Sequence, residues 1–217
     1  MILTLSSGCS RADGPTATTS PPAAAKSTSA RELQSDDVLN SYLDPTRNET
    51  QQPDEVVRRL GLKEGHVIAD IGAGSGYFTW VFSKAVGSSG KVLAVDIDAH
   101  ALEFMQNRMV KDPPAHTNIK FVESKFDDVC LPPASVDWAF LCEAHFIVEG
   151  DPSSAACLRT IRRALKPGGK VAVIEVKDDP LRGKVSMERL QSGFLTAGFA
   201  FDSKHDLYDR EYFVVFR

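Results

Sequence analysis

The chain has 217 residues, of which 42% are hydrophobic and 25% charged, and its net charge is −4 at pH 7. This length allows one full hydrophobic core, so we expect one domain and a tail and exclude a second enzyme domain. The negative charge, and a sequence without clusters of Lys and Arg interleaved with aromatic residues, argue against a nucleic acid partner. The four cysteines form no C-x-x-C pair, so we predict no metal site and no disulfide framework.

Residues 1–30 have the composition of a disordered tail. After the short apolar run Met1 to Leu5 comes Ser6-Ser7-Gly8-Cys9, and then Ser, Thr, Ala and Pro predominate, a mixture that buries too little apolar surface to fold. Small residues before a cysteine resemble the end of a bacterial lipoprotein signal, which would place a lipid anchor at Cys9.

A charged start is missing, however, and the apolar run is short for a signal peptide. Two explanations therefore stay open: the true start lies upstream, or the similarity is accidental. The localisation stays open with them, between the cytoplasm and a membrane-anchored lipoprotein. We predict no transmembrane segment, because no run of about 18 or more apolar residues occurs.

The folded domain is predicted to begin at residue 53, after a polar segment at 31–52. Pro53 suits the first turn of a helix, and Asp54 and Glu55 complement the helix dipole there. Gly61 then ends this helix before the first strand.

The most informative stretch runs from Val67 to Trp80. Its first part, Val67 to Ile71, is apolar except for Asp70, as in a strand buried on both faces of a parallel sheet. Three glycines follow, which allow a sharp turn and a close approach of a ligand to the backbone. The next apolar residues have helical spacing. Strand, glycine turn and helix start form a nucleotide site, because free N–H groups at the helix start face the ligand.

The spacing of the glycines and one charge indicate which nucleotide binds. The dinucleotide fingerprint is G-x-G-x-x-G, whereas this chain has D-x-G-x-G-x-G. Asp70 would repel a pyrophosphate at close range. S-adenosylmethionine (SAM) instead brings a sulfonium, an ammonium and a carboxylate for the helix N–H groups. SAM is therefore the predicted cofactor, and the predicted contacts are Asp70, Gly72, Ala73, Gly74 and Gly76.

Asp96 is the second acid of the predicted cofactor site. It ends a buried strand, Lys91 to Val95, and lies 20 residues beyond Gly76. At this separation a carboxylate at the end of the neighbouring strand reaches the ribose hydroxyls of a nucleotide. The alternative is that Asp96 only caps the following helix, a role for which Asp98 is equally available.

The rest of the chain continues to alternate strands and helices. The predicted strands are Ile119 to Val122, Val136 to Cys142, Lys170 to Val176, Phe201 to His205 and Tyr212 to Phe216. A helix is predicted to begin at Asp151-Pro152 and to end at Pro167-Gly168-Gly169.

Glu143 and His145 directly follow the fourth predicted strand, whose carboxyl end faces the ligand crevice of an open parallel sheet. Two such side chains in an irregular segment can converge on one pocket, and imidazole takes up a proton near neutral pH. We therefore predict both as catalytic, with Glu143 also beside the cofactor. The alternative is a loop histidine bonded to backbone. Cys142 is expected to be a small core side chain rather than a ligand for a soft metal.

Four sequence blocks, in this order and at this spacing, resemble the class I SAM-dependent methyltransferases: Asp70 to Gly76, Val92 to Asp96, Leu131 to Asp137 and Leu165 to Lys170. The resemblance covers most of the chain and implies a methyltransferase domain at 53–217. The implied fold class is α/β, a Rossmann-like three-layer sandwich with a mostly parallel seven-stranded sheet and an antiparallel C-terminal strand.

The resemblance also implies roles for residues outside the glycine turn. Residues 31–52 would form a lid segment over the cofactor, with Tyr42 or Arg47 closing onto it, and Ile97 would pack on the adenine. In the family an acid just after the third strand lies near the adenine amino group, but here the corresponding residues are Ser124-Lys125. Lysine cannot accept a hydrogen bond from an amine.

Asp127 or Asp128 would therefore have to supply this adenine contact, and we predict Asp127. The third strand ends only a few residues before both acids.

The predicted activity is transfer of the SAM methyl group to a small-molecule or lipid-like acceptor. Such a transfer is an in-line displacement, in which alignment of the reacting atoms supplies much of the catalysis. One alternative is a module, tethered to the envelope, that binds SAM without transferring methyl. A nicotinamide-dependent oxidoreductase is disfavoured by Asp70 and the glycine spacing. The sequence predicts neither the acceptor nor the oligomeric state.

Overall fold

The computed structural model describes residues 34–111, 116–144, 152–179, 183–184 and 186–217. The predicted tail, with the lipid anchor at Cys9, and the predicted catalytic residue His145 lie outside the described residues.

Helices and strands alternate through most of the described chain. Three helices precede the first strand: α1 (Asp36–Ser41), α2 (Arg47–Gln51) and α3 (Pro53–Leu60). The elements that follow are β1 (Val67–Ile71), α4 (Tyr77–Val86), β2 (Lys91–Asp96), α5 (Ala99–Lys111), β3 (Ile119–Glu123), β4 (Val136–Cys142), α6 (Pro152–Ala164), β5 (Leu165–Val176), β6 (Asp178–Asp179), β7 (Gly183–Lys184), α7 (Met187–Thr196), β8 (Phe201–His205) and β9 (Glu211–Phe216).

The main sheet has seven strands in the order β3-β2-β1-β4-β5-β9-β8. Strands β1 to β5 pair in parallel, and β9 runs antiparallel to both β5 and β8. The predicted fold class is therefore confirmed. The strand order reverses between β1 and β4. Ligands of open parallel sheets bind at such a reversal, in the crevice outside the carboxyl ends of the strands.

The core lies on both faces of the sheet, which makes the molecule three-layered. Ala69 and Ile71 of β1 pack into a cluster that includes residues of α6 and α7, and Ile68 packs into a second cluster with residues of α3, α4 and α5. Alternate side chains of a strand point to opposite faces, so a strand covered on both sides must be apolar throughout. Phe82 and Phe140 are fully buried in the second cluster, and each such side chain contributes roughly 1.5 to 3 kcal/mol.

The ends of several elements follow local sequence signals. Pro53 is the first residue of α3, as predicted, and Gly61 caps its carboxyl end with φ = 62°. Strand β5 begins at Leu165, before the predicted start at Lys170, because Leu165 pairs with Val136 ahead of a register shift. Within the described residues, no helix combines the length and apolar character that a membrane span requires.

Candidate active site

The glycine turn between β1 and α4 bends across the end of β2. The N–H groups of Gly72 and Ala73 both donate to the carbonyl oxygen of Val95, at 2.8 and 3.1 Å. At Gly76, φ is 85° and an added Cβ would lie 2.7 Å from the sulfur of Met105. Both the backbone conformation and the lack of space therefore require glycine at position 76.

Asp70 lies at the centre of the sheet beside this turn, with 3% of its surface exposed. The Thr79 hydroxyl donates to Asp70 Oδ2 at 2.6 Å. The pKa of Asp70 is raised to about 7, mainly by burial; the Thr79 hydrogen bond acts against this rise, and the charge of Asp96 contributes to it. A neutral hydroxyl compensates only part of the desolvation of a carboxylate, so a cation bound beside Asp70 would be stabilised.

Asp96 faces the glycine turn from the end of β2. Its Oδ2 accepts the N–H of Gly74 at 2.7 Å, and its Oδ1 accepts the N–H of Asp98 at 2.9 Å. Burial raises the pKa of this carboxyl. Asp98 is the residue next to the start of α5, and its Oδ1 accepts the N–H of His100 at 2.9 Å. The helix-capping role considered for Asp96 therefore belongs to Asp98, and half-buried Ile97 lies between them.

These residues match the parts of SAM. Gly76 is the N-cap residue of α4 and has no side chain that could cap the first-turn N–H groups. Those groups suit a carboxylate, buried Asp70 suits a positive charge, and Asp96 suits a diol. The donors and acceptors of the crevice therefore fit the cofactor, although contact of any one residue with SAM stays a prediction.

The end of β3 lies next to that of β2, because the Ser124 N–H donates to the carbonyl oxygen of Asp96 at 2.8 Å. Lys125 and Asp127 are both exposed. Asp128 Oδ1 accepts the N–H of Cys130 at 2.8 Å and a guanidinium N–H of Arg163 at 3.2 Å. Since Asp128 is committed to these partners, Asp127 stays the predicted adenine contact.

Glu143 follows the last residue of β4 with φ = 51°, a conformation that is strained for any residue with a side chain. Its backbone N–H donates to the carbonyl oxygen of Ile174 in β5 at 2.8 Å. Its Oε1 accepts a hydrogen bond from Gln51 Nε2 at 3.3 Å. The fourth strand thus delivers Glu143 to the carboxyl edge of the sheet, as predicted, while its pairing with His145 stays a prediction.

The described part of the predicted lid segment packs on the start of α4. The Arg47 guanidinium lies 4.5 Å from the ring centroid of Tyr77 and donates to the carbonyl oxygen of Tyr42 at 2.7 Å. The Tyr77 hydroxyl donates to Asn48 Oδ1 at 2.7 Å. Residues 42–52 therefore contact the helix that follows the glycine turn.

Sequence reasoning missed three polar residues of this region: Thr79, Gln51 and Glu211. Gln51 is 5% exposed, and its Nε2 also donates to Glu211 Oε1, 160 positions away, at 3.2 Å. In the sequence, Gln51 is one polar residue of a polar segment, and Glu211 only precedes a strand. A buried threonine three residues after the last glycine was the one available signal, since its hydroxyl needs a partner.

Comparison with known proteins agrees with this architecture. A family model described as a methyltransferase domain matches residues 68–169, a range that contains the glycine turn and the ends of β2, β3 and β4. The ubiquinone/menaquinone biosynthesis C-methyltransferase UbiE of Hahella chejuensis is 32% identical over 119 residues, 55% of this chain and 46% of that protein. UbiE of Azotobacter vinelandii is 32% identical over 127 residues, 58% of this chain and 49% of that protein.

The chain thus spans about half the length of the curated relatives it matches. Among solved structures, a SAM-dependent methyltransferase from Aquifex aeolicus superposes with a TM-score of 0.70 and 24% identity, covering 82% of this chain and 95% of that one. This likeness shows the fold. The sequence matches, the strand order and this fold all make the chain similar to SAM-dependent methyltransferases, as its four sequence blocks predicted.

Proposed function

We propose that this protein binds SAM in the crevice outside β1 and β2 and transfers its methyl group to a small-molecule or lipid-like acceptor. The observation that carries the proposal is the pair of acids, Asp70 and Asp96, on neighbouring strands around a glycine turn. Asp70 is buried beside a hydroxyl rather than a positive charge, and Asp96 is hydrogen-bonded to the turn itself. Such a site favours a ligand that is both cationic and rich in hydroxyls.

Each residue has a distinct task in this proposal. Asp70 balances the positive charge of the cofactor, and the backbone at Gly74 and Gly76 lets it approach closely. Asp96 accepts hydrogen bonds from the ribose diol, and Ile97 packs against the adenine. Asp127 accepts from the adenine amino group, and the first-turn N–H groups of α4 bind the carboxylate. When bound, SAM would supply a methyl group attached to a cationic sulfur, and this sulfur is a leaving group that needs no proton.

The chain itself then has to hold the acceptor in line and to exclude water. Where the acceptor atom carries a proton, Glu143 and His145 are the proposed groups that take it up. The relatives that match half of this chain are named for ubiquinone and menaquinone biosynthesis. Precursors of these quinones are therefore the first acceptors to test.

The experiment has a binding part and a transfer part. Calorimetry of the full chain with SAM and with S-adenosylhomocysteine (SAH) tests the site. Asp96→Asn should lower the affinity for SAH by about 10- to 100-fold, since charge-assisted hydrogen bonds contribute about 1.5 to 3 kcal/mol. The matched control is Asp206→Asn at an exposed position outside the crevice, which should leave the affinity unchanged. NAD in place of SAM should produce no heat, and the reverse pattern would overturn the proposal.

Transfer is measured with methyl-labelled SAM, a panel of quinone precursors and a lipid extract. Appearance of label in an acceptor, with an equal amount of SAH, supports the enzyme. The second candidate is a module that binds SAM without transfer, which Lys125 favours because it stands where the family has an acid near the adenine. Tight SAM binding with no SAH formed from any cell extract would support that module.

The lipoprotein-like start belongs to this second candidate. We propose a lipid on Cys9, and mass spectrometry of the protein isolated from its natural membranes tests it. A diacylglyceryl mass that disappears in Cys9→Ser supports the anchor. An unmodified, unprocessed first segment contradicts it.

A further inference from the structure

The side chain of Gln51, the last residue of α2, connects the lid segment to two strands of the sheet. It is 5% exposed. Its Nε2 donates to Glu143 Oε1 at 3.3 Å and to Glu211 Oε1 at 3.2 Å, and its Oε1 accepts from the Cys142 thiol at 3.7 Å. One amide therefore bridges the end of β4 and the start of β9, which β5 separates in the sheet.

Only one orientation of the Gln51 amide satisfies all three contacts. Ionised carboxylates accept hydrogen bonds and cannot donate them, so the nitrogen must face Glu143 and Glu211. Burial raises the pKa of Cys142 well above its usual value, so the thiol keeps its proton and donates to the amide oxygen. The backbone is held as well, because the Tyr208 hydroxyl donates to the carbonyl oxygen of Gln51 at 2.6 Å.

The negative charges of Glu143 and Glu211 repel each other, and the Gln51 amide donates a hydrogen bond to both carboxylates. The pKa of Glu211 is raised to about 7, mainly by burial and also by the charge of Glu143, while the Gln51 hydrogen bond acts against this rise. Glu175 of β5 acts in the same direction as Glu143, and Arg47 of α2 opposes them. The second oxygen of Glu211, Oε2, is buried and has no hydrogen bond to any described residue. The amide is thus a neutral group that offsets part of the repulsion between the two acids.

Resting on the proposed function, we propose that Gln51 is a positioning residue through which the lid segment sets the acid pair Glu143–Glu211 at the acceptor end of the site. The lid brings the amide to the two carboxylates, so docking of residues 42–52 and the state of the acid pair are coupled. When the lid segment lifts, the pair loses the donor that its two members share. Because the amide of the docked lid lowers the pKa of Glu211, protonation of the pair opposes closure of the lid, and closure opposes protonation by the same free energy.

The first test is a titration of the cofactor-free full chain, with glutamate labelled by ¹³C at the carboxyl carbon. The Glu211 signal is assigned from its loss in Glu211→Gln. In Gln51→Leu the apparent pKa of the acid pair should rise by about half to one unit, since a hydrogen bond contributes about 1 kcal/mol and a pKa unit corresponds to 1.36 kcal/mol. Gln52→Leu is the matched control, because Gln52 is exposed and its Nε2 donates a long hydrogen bond to the carbonyl oxygen of Leu207, at 3.4 Å, rather than to an acid.

The second test separates positioning from simple packing. Gln51→Glu has nearly the shape of glutamine, but it can donate a hydrogen bond only when protonated. Hydrogen-exchange protection of residues 42–52 should be close to the wild-type value at pH 5.5 and at least about 10-fold lower at pH 8.5, where three carboxylates repel one another. Gln51→Leu should lower the protection at both pH values, and more at pH 8.5, where the ionised pair has lost its donor.

Unchanged titration and unchanged lid protection in Gln51→Leu would overturn the proposal, as would an equal loss of protection at both pH values in Gln51→Glu. Neither measurement needs cofactor or acceptor. Failure of SAM and SAH to bind the wild-type chain would instead count against the proposed function, so the two failures are distinguishable.

Discussion

Replacing Asp70 by asparagine should make the cofactor-free protein more stable while abolishing its preference for a cationic cofactor. Asp70 is 3% exposed and its pKa is about 7 in the folded chain, against 3.8 for an ordinary aspartate. Folding therefore penalises the ionised form. The loss in the free energy of unfolding begins as the pH rises above the pKa of the unfolded chain, near 4. It grows until about pH 7 and is constant above that.

The size of the effect follows from the shift. About three pKa units at about 1.36 kcal/mol each give an upper value of about 4 kcal/mol at pH 8, and between 1 and 2 kcal/mol remain at pH 5, where the unfolded carboxyl is already ionised. Asparagine keeps an oxygen that accepts from the Thr79 hydroxyl, which lies 2.6 Å from Asp70 Oδ2, and it has no charge to desolvate. The stability gained by Asp70→Asn should therefore increase with pH.

Urea unfolding of the full cofactor-free chain at pH 5, 6.5 and 8 measures this gain, and calorimetry measures the loss of SAM binding. Asp206→Asn serves as the control, because Asp206 is exposed and paired with Lys204, and Lys204 lowers its pKa rather than raising it. SAM should also bind the wild type more tightly as the pH rises from 6 to 8, because a cation needs the ionised form of Asp70. A variant whose stability difference from wild type is the same at all three pH values would refute this reasoning.

Three further substitutions test the same site. Gly76→Ala should destabilise the protein in urea unfolding by more than the roughly 1 kcal/mol expected for positive φ alone, because its Cβ would lie 2.7 Å from a methionine sulfur. Gly61→Ala, whose Cβ would have nothing within 4 Å, should show only the destabilisation due to positive φ. Asp96→Asn should lower SAH affinity in calorimetry without changing the unfolding midpoint by more than a few degrees, since its own burial opposes its charge. Glu143→Gln should lower the pKa of Glu211 below 7 in a ¹³C carboxyl titration, because it removes the charge that helps to raise it.

The parts of this protein that could be predicted from sequence are those encoded locally. The apolar run around Asp70 forces that carboxylate into a buried strand, and the glycines after it define the turn, so the placement of both at the carboxyl end of β1 could be predicted. The sequence predicted Asp96 as the ribose contact but left helix capping by Asp96 as an alternative, since Asp96 and Asp98 are equally suitable caps. The structure decides it because the Asp96 carboxylate accepts the N–H of Gly74 across the crevice.

The contact between Gln51 and Glu211 depends on where the lid segment lies relative to β9, and no local pattern carries that information. The two residues are 160 positions apart in the sequence. Gln51 belongs to a short helix before the first strand, and Glu211 belongs to the last, antiparallel strand. A buried amide with two carboxylate partners is recognisable only once the sheet order is known. For the same reason the early start of β5 was missed, because it depends on the pairing of Leu165 with Val136.

The proposed site therefore has one acid at its proposed cofactor end, Asp70, and one at its proposed acceptor end, Glu211, and burial raises the pKa of both. At the cofactor end, burial raises the pKa of Asp70 to about 7, and Thr79 supplies only a neutral hydrogen bond. At the acceptor end, Glu211 has a pKa of about 7 and is held by the amide of Gln51. In our proposal the cationic cofactor balances the charge of Asp70, and the lid segment supplies the hydrogen-bond donor of Glu211. Cofactor binding and lid docking each offset part of the cost of burying an ionised carboxylate. Both should therefore become more favourable as the pH rises towards 7 and the acids ionise.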